Sequence, residues 1–295
     1  MTRPFQIGIQ LPEIERRVRW EELSAIAITA EGVGFDSIWV GDHLLYRIDG
    51  ESHGPWEAWS VLAALAAVTD RVQLGPLVAA TAFHNPAMLA KKAATVDEIS
   101  GGRLILGLGA GWNRTEFSAF GYPFDHRAAR FAEAFTIIRT LLREGSVDYA
   151  GTYYKARDCE LVPRPRPGGP PLMIGSIGPR LLGVTLPHVD MWNAWHAWYG
   201  NTPDGLTAMI ATIDQQCRSA GRDPVEVAKT AAVQVRAPGG TGRLYGDSTH
   251  SGNEYIAGDQ EEIAAALANF AISGVAHVQL VVDPITVASV EWLGG

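Results

Sequence analysis

The chain has 295 residues, 47% of them hydrophobic, and a formal net charge of −8 at pH 7. This length and composition provide for one large hydrophobic core, and barrels of alternating strands and helices often have this size. The acidic balance argues against a nucleic-acid partner. No apolar segment reaches the ~18 residues of a membrane-spanning helix, so we expect no membrane insertion. The N-terminus lacks a secretion pattern and the two cysteines are far apart, which favours a cytoplasmic protein with free thiols.

Short apolar strands alternate with helical patterns along the chain. We predict strands at residues 6–11, 36–40, 72–79, 103–106, 172–175, 189–194, 230–236 and 277–282. We predict helices at 20–30, 56–68, 87–99, 127–143, near 179, and at 203–220, 260–272 and 285–293. Alternation of buried strands with helices is typical of a parallel sheet covered by helices. The sequence therefore predicts an α/β fold in which residues 1–295 form a single (β/α)8 (TIM) barrel domain.

Three segments depart from the regular alternation. Residues 147–162 alternate in polarity and turn at Ala150-Gly151, which predicts an inserted β-hairpin. Pro76 makes the third strand irregular, because proline cannot donate to a ladder. Residues 237–258 form a long Gly-, Ser- and Thr-rich loop, which is either a mobile lid or a disordered segment. We favour a lid, since the loop begins at the carboxyl end of the seventh strand, on the face where barrels carry active sites.

The most informative segment covers residues 100–117 and reads SGGRLILGLGAGWNRTEF. Its three alternating glycines, Gly107, Gly109 and Gly111, follow the fourth predicted strand. Glycine in a strand costs backbone entropy and offers no side chain to pack. Two interpretations follow: a flat ligand lies against bare backbone, or the glycines make room for large neighbours inside the barrel.

Barrel enzymes carry their active sites at the carboxyl ends of the strands. The second strand ends at Asp42-His43, and histidine titrates near neutral pH, so we predict His43 as the catalytic acid or base. The alternative is a structural histidine held by Asp42. The sixth strand ends in aromatic residues, and we expect Trp192, Trp195 and His196 to line a substrate pocket. Neither metal-ligand spacing nor a paired-carboxylate motif occurs, so we expect no metal site.

The fifth strand runs directly into a helix through residues 175–180, Gly-Ser-Ile-Gly-Pro-Arg. Free N–H groups at a helix start attract anions, and Ser176 and Arg180 add a hydroxyl and a cation. The segment therefore predicts an anion site. The alternative is a glycine turn that only caps the helix.

Residues 71–117 closely resemble the luciferase-like flavin and deazaflavin oxidoreductases. The resemblance rests on the pattern LG…NP..LAK.AAT.D..SGGR..LG.GAGW...EF, and FDSIWVGDH, PPLMIGSIGP and GVAHVQLVVDP occur in the family's order. It covers essentially the whole chain. It implies a (β/α)8 barrel with inserted segments, a homodimer, and FMN or the deazaflavin F-420 as cofactor.

The resemblance also implies roles for individual residues. It places His43 beside the reactive face of the cofactor ring, and a non-proline cis peptide at Leu77-Val78 behind the ring. It places the cofactor phosphate at residues 175–178. The residues implied to bind the cofactor are Asp42, Leu77, Val78, Gly109, Gly111, Trp112, Asn113, Thr115, Gly175, Ser176, Ile177, Gly178 and Arg180.

Two departures bear on the activity. Sugar-phosphate dehydrogenases of the family have tryptophan where this chain has Arg47, and glutamate where it has Trp112. Both departures argue against that activity. We predict F-420-dependent hydride transfer to or from a small organic substrate. The alternatives are an FMN monooxygenase supplied with reduced flavin by a partner reductase, and a non-catalytic flavin-binding barrel.

Overall fold

The computed structural model describes residues 5–243 and 254–295. The strands within these ranges are β1 (Gln6–Gln10), β2 (Ser37–Val40), β3 (Tyr46–Ile48), β4 (Glu51–His53), β5 (Gln73–Pro76), β6 (Ala79–Ala80), β7 (Leu106–Gly109), β8 (Ser146–Ala150), β9 (Lys155–Glu160), β10 (Leu172–Ile174), β11 (Met191–Ala194), β12 (Ala228–Arg236) and β13 (His277–Asp283). Nine of them form one parallel sheet in the order β5, β2, β1, β13, β12, β11, β10, β7 and β6.

This sheet closes into a barrel. Leu74 of β5 forms a parallel bridge with Leu104, just before β7, and β6 pairs with β7 itself. Since β5 and β6 are two parts of one interrupted strand, the barrel has eight strands in the usual sense. The predicted (β/α)8 barrel is confirmed. The fourth predicted strand begins later than expected, at Leu106, because Leu104 makes only a single bridge.

The helices of the described ranges surround this sheet. They are α1 (Trp20–Gly32), α2 (Ala58–Val68), α3 (Pro86–Ile99), α4 (Arg114–Phe120), α5 (Arg127–Glu144), α6 (Pro179–Thr185), α7 (Pro203–Ser219), α8 (Gln260–Ile272) and α9 (Val287–Gly294). Several begin at clear sequence signals. The Asn85 side chain accepts from the Met88 N–H at the start of α3, and Asp259 and Glu262 form a capping box at the start of α8.

The helices bury one face each against the barrel. Ile26 of α1, Leu62 of α2 and Ile138 of α5 have no exposed surface. Burial of each such side chain contributes roughly 1.5–3 kcal/mol, so the helical layer fixes the barrel strands in place. No helix of the described ranges has the length and apolar character needed to cross a bilayer.

Two hairpins are inserted into the barrel. The predicted one is confirmed as β8 and β9, antiparallel strands joined beyond Ala150. The sequence analysis missed the hairpin of β3 and β4. Its turn, Asp49-Gly50, has φ values of 51° and 83°, which is the left-handed conformation that Asp-Gly turns adopt. The short helix α4 was missed as well.

The third strand is interrupted after Pro76, as predicted from the inability of proline to donate to the ladder. The chain leaves the sheet between β5 and β6, and the Leu77–Val78 peptide bond is cis, as the resemblance implied. The long loop after β12 is described only in part. Ile256 returns to form a parallel bridge with Val235, whereas residues 244–253 lie outside the described residues. The lid stays a prediction.

Candidate active site

A cavity of about 600 Å³ opens at the carboxyl ends of the barrel strands, a volume within the range of small-molecule sites. We describe it as two halves. The glycine half, after β2, β6, β7 and β10, includes Asp42, His43, Gly109, Gly111, Gly175 and Gly178. The amide half, after β1 and β11, includes Gln10, Glu13, Ile14, Asn193, Trp195 and Trp198.

His43 follows β2 and is held by a buried carboxylate. Its Nδ1 lies 2.9 Å from Oε1 of Glu116, a side chain with no exposed surface. The other oxygen of Glu116 accepts from the Leu44 N–H at 2.6 Å, which fixes the carboxylate against the backbone. Because a carboxylate can only accept, Nδ1 donates, and Nε2 is the ring atom that remains to exchange a proton. The alternative in which Asp42 holds this histidine is therefore wrong.

The pKa of His43 is raised from its ordinary value of 6.5. Burial acts to lower it, but the charge of Glu13 and the hydrogen bond and charge of Glu116 outweigh burial. The side chain remains 22% exposed, so it can exchange protons with the cavity. His43 therefore keeps its proton to a higher pH than free histidine does, and it is suited to act as a general acid near neutrality.

Glu13 links the two halves of the cavity. Its Oε1 accepts from the Tyr46 hydroxyl at 2.9 Å and lies 3.9 Å from His43 Nε2, and its Oε2 accepts from Gln10 Nε2 at 3.1 Å. Burial and the charge of Glu13 raise the pKa of Tyr46 well above its ordinary value. The phenol therefore stays protonated and remains a donor. The rings of Tyr46 and Trp112 lie 4.8 Å and 5.6 Å from the His43 ring, which they enclose.

Asp42 ties β2 to the next strand. One of its oxygens accepts from the Ala80 N–H at 2.9 Å and contacts His84 Nε2 at 3.0 Å, and the residue is 3% exposed. This arrangement holds the position of β6 beside β2. Asp42 also lines the cavity, and its role in cofactor binding stays a prediction.

The glycines of β7 first serve the packing of the barrel. A Cβ at Gly107 would lie 2.3 Å from the Pro76 carbonyl, and one at Gly109 would lie 2.8 Å from a Val78 methyl group. A Cβ at Gly175 would lie 3.0 Å from the same valine. The interpretation in which these glycines make room for a large neighbour is therefore correct for β7. It does not exclude a ligand, because Gly109 and Gly175 also line the cavity.

The loop of residues 175–178 is braced from behind. Trp192 is fully buried and donates its indole N–H to the Ser176 carbonyl at 2.8 Å, while Ser176 Oγ accepts from the Gly178 N–H at 3.1 Å. Trp192 thus supports the loop and lies outside the cavity lining, contrary to the prediction that it lines the substrate pocket. Arg180 is exposed on α6 and lies outside the lining as well.

Several predicted residues occupy supporting positions. Asn113 caps α4 by accepting from the Thr115 N–H at 3.1 Å and donates to the Leu45 carbonyl at 3.0 Å. Neither Asn113 nor Thr115 lines the cavity. His196 is fully buried and also lies behind the lining, whereas Trp195 lines the cavity. The role of Trp195 in substrate binding stays a prediction.

Sequence reasoning missed four polar residues of the site. Glu116 and Tyr46 lie within a few positions of residues that were predicted for the site. No local sequence pattern, however, indicates that Glu116 contacts His43 or that Tyr46 contacts Glu13. Gln10 is the last residue of β1 and Glu13 lies just beyond it, at a strand end where the sequence predicted no site residue. Applying the strand-end rule to all eight strands would have found these two.

A histidine paired with a buried carboxylate and a glycine-rich cavity at the carboxyl ends of a closed barrel define a (β/α)8 protein with an enzyme-type site. The family model described as luciferase-like monooxygenase matches residues 4–237. The chain therefore belongs to the luciferase-like monooxygenase family.

The relatives that match include a dehydrogenase and a reductase. The chain is 40% identical over 164 residues to the F420-dependent glucose-6-phosphate dehydrogenase of Amycolatopsis mediterranei, a match that covers 54% of this chain and 48% of that protein. It is 34% identical over 222 residues to the 5,10-methylenetetrahydromethanopterin reductase of Archaeoglobus fulgidus, covering 74% and 61%. The matches thus span about half to three fifths of these relatives.

A solved structure extends the likeness over the whole chain. An F420-dependent secondary alcohol dehydrogenase in complex with an F420-acetone adduct superposes with a TM-score of 0.81 and 22% identity, covering 98% of this chain and 97% of that one. At this identity the likeness establishes the fold alone.

Proposed function

We propose that the protein is an F-420-dependent oxidoreductase that transfers hydride to or from a small organic substrate. The proposal rests chiefly on His43, whose ring at the edge of the cavity lies between two carboxylates. Its Nδ1 donates to Glu116 at 2.9 Å, and its Nε2 lies 3.9 Å from Glu13. The F420-dependent relative of Amycolatopsis mediterranei supports the choice of cofactor. The cofactor would occupy the glycine half and the substrate the amide half.

The glycine half has features that fit a flat ring with an anionic tail. Trp112 and Ile177 line it and are 47% and 49% exposed, so a ring placed between them would cover apolar surface. Backbone at Gly109 approaches the cavity without a side chain. In the loop of residues 175–178 the N–H groups of Gly175 and Gly178 are donated to the Leu108 carbonyl and to Ser176 Oγ, so those of Ser176 and Ile177 would bind a phosphate. Gly178 has no atom closer than 3.7 Å to an added Cβ.

The chain's own residues would supply binding and proton transfer. When bound, F-420 would be the carrier that gives or takes the hydride. His43 Nε2 donates a proton to the substrate oxygen when a carbonyl is reduced, and it accepts that proton when an alcohol is oxidised. Glu116 holds the ring so that Nε2 faces the cavity. Trp195 and Trp198 exclude water from the bound substrate.

The test is a cofactor titration of the purified protein. F-420 and FMN are added separately, and the fluorescence of each ring is followed. We expect saturable binding of F-420 and weaker binding of FMN. Tight binding of FMN with none of F-420 would refute the choice of cofactor. His43→Asn should bind the cofactor normally and lose turnover, which separates a catalytic from a binding role.

An FMN-dependent monooxygenase is the second candidate, and the description of the matching family favours it. In that case a partner reductase would supply reduced FMN. Oxygen consumption with reduced FMN and a substrate panel tests this candidate. A consumption rate no higher than that of free reduced flavin would eliminate it.

We also propose that the protein acts as a cytoplasmic homodimer, on the basis of its resemblance to the luciferase-like oxidoreductases. Sedimentation velocity of the purified chain tests the assembly, and a monomer at micromolar concentration would contradict it. Fractionation of cells that express the native protein tests the location.

A further inference from the structure

The amide half contains a buried acceptor that has no partner among the described residues. Gln10, on β1, is 1% exposed and lines the cavity. Its Nε2 donates to Glu13 Oε2 at 3.1 Å, and a carboxylate can only accept, so the amide orientation is fixed by chemistry. Its Oε1 is buried and accepts no hydrogen bond from the described residues. Leaving such an oxygen unpaired is unfavourable, because the group has lost its contacts with water and gained none in return.

Asn193, on β11, presents the same kind of group. It is 3% exposed and lines the cavity. Its Nδ2 donates to Thr230 Oγ1 at 2.8 Å and to Gln279 Oε1 at 2.7 Å, which uses both of its hydrogens within the barrel. The Thr230 hydroxyl lies 3.6 Å from Met173 Sδ as a donor, so its oxygen is available to accept. The oxygen of Asn193 is therefore the group it can offer to the cavity.

The charges beside these amides disfavour an anion. Among residues 5–243 and 254–295, the cations that line the cavity near β1 are Arg243, whose guanidinium is paired with Glu15, and His43 when it is protonated, which is paired with Glu116 and faces Glu13. Glu13 adds a negative charge on the same side. Arg127 lies across the cavity and donates to the Gly111 carbonyl at 2.6 Å. A phosphate or carboxylate in the amide half would meet acceptors and carboxylates, whereas an uncharged donor would be stabilised.

We propose that Gln10 and Asn193 select the substrate, an uncharged compound that presents a hydroxyl or N–H group to their two amide oxygens. This inference rests on the proposed function, since it names the substrate class for the same site. The proposed substrate class differs from that of a sugar-phosphate dehydrogenase, because the described residues of the amide half form no phosphate subsite. Trp195 and Trp198 would cover the apolar part of the same molecule.

The test measures binding without turnover. Cyclohexanol, methoxycyclohexane and cyclohexanone are titrated into the cofactor-free protein, and binding is followed by ligand-observed NMR. The three probes share a ring, and only the alcohol carries a donor. We expect the alcohol to bind about tenfold more tightly than the ether or the ketone, since a buried acceptor is satisfied only by the alcohol.

Two variants connect this preference to the amide. Gln10→Leu removes the unpaired acceptor and should abolish the preference for the alcohol. Gln73→Leu is the matched control, because the Oε1 of Gln73 is also buried, has no hydrogen-bond partner in residues 5–243 and 254–295, and lies outside the cavity lining. It should leave the preference unchanged. If Gln10→Leu does not fold, as judged by circular dichroism, Gln10→Met keeps the length of the side chain and takes its place.

Three results would overturn the inference: equal binding of the ether or ketone, no saturable binding of cyclohexanol, or a preference that survives in the folded Gln10 variant. These results are independent of the cofactor titration. A failed F-420 titration refutes the proposed cofactor, while the probe series reports on the amide half alone.

Discussion

Acid should destabilise this protein through one buried histidine at the opposite end of the barrel from the cavity. His277 begins β13 and is 1% exposed, with its Nε2 2.7 Å from Ser37 Oγ, which in turn accepts from the Trp39 indole at 2.7 Å. Burial lowers the pKa of His277 from 6.5 to about 4. Between these values the unfolded chain binds the proton and the folded chain does not. The free energy of unfolding therefore has its full value above about pH 6.5, and it falls as the pH drops toward 4.

The size of this loss follows from the pKa difference. Each unit is worth about 1.36 kcal/mol, so the full difference amounts to roughly 3 kcal/mol, and somewhat over 2 kcal/mol of it is lost between pH 7 and pH 4.5. The assay is urea unfolding of the native protein and of His277→Asn at these two pH values. The variant should be less stable at pH 7 but should lose about 2 kcal/mol less on acidification. Equal losses in both proteins would refute the argument, since the other titrating groups are common to both.

Three further predictions concern the cavity. Gly109→Ala places a methyl group 2.8 Å from a valine methyl, so we expect the free energy of unfolding to fall by about 1–3 kcal/mol, measured by denaturation. The cofactor should also bind more weakly, measured by fluorescence titration. Glu116→Gln removes a charge that raises the pKa of His43, so the NMR titration of His43 should move to lower pH. Trp192→Phe removes the hydrogen bond to Ser176, worth about 1 kcal/mol, and should weaken cofactor binding severalfold.

Each of these has an outcome that contradicts it. Unchanged cofactor affinity in Gly109→Ala would show that β7 is remote from the ligand. A His43 titration that is unaffected by the loss of the Glu116 carboxylate would mean that the pair is not formed in solution. For Trp192→Phe, an unaltered cofactor affinity together with reduced stability would restrict that side chain to packing.

The barrel could be predicted because its pattern is local. Each strand is a short apolar run and several helices have their own start signal, as at Asn85 and Asp259, so the alternation survives in a linear sequence. The rule that places active sites at the carboxyl ends of barrel strands then located His43, Gly109 and the loop of residues 175–178. Local turn chemistry at Asp49-Gly50 was also available and was overlooked.

The partners of these residues depend on distances across the barrel. Glu116 meets His43 although the two are 73 residues apart, and Trp192 reaches Ser176 from a neighbouring strand. No periodicity records such pairs, because they arise when separate strands close into a ring. The role of Gly109 also depends on the tertiary structure. The sequence suggests that a flat ligand lies against it, and the structure shows that its missing side chain makes room for Val78 as well.

The sequence by itself determined the fold, the end of the barrel that carries the site and the family to which the chain belongs. Tertiary structure alone decided which groups are charged, which are paired and which are left open to a ligand. The physical reason is that burial and hydrogen bonding set these properties, and both depend on neighbours brought together from distant parts of the chain. Gln10 shows this most directly: its position in β1 is a local matter, whereas its unpaired oxygen exists only inside the closed barrel.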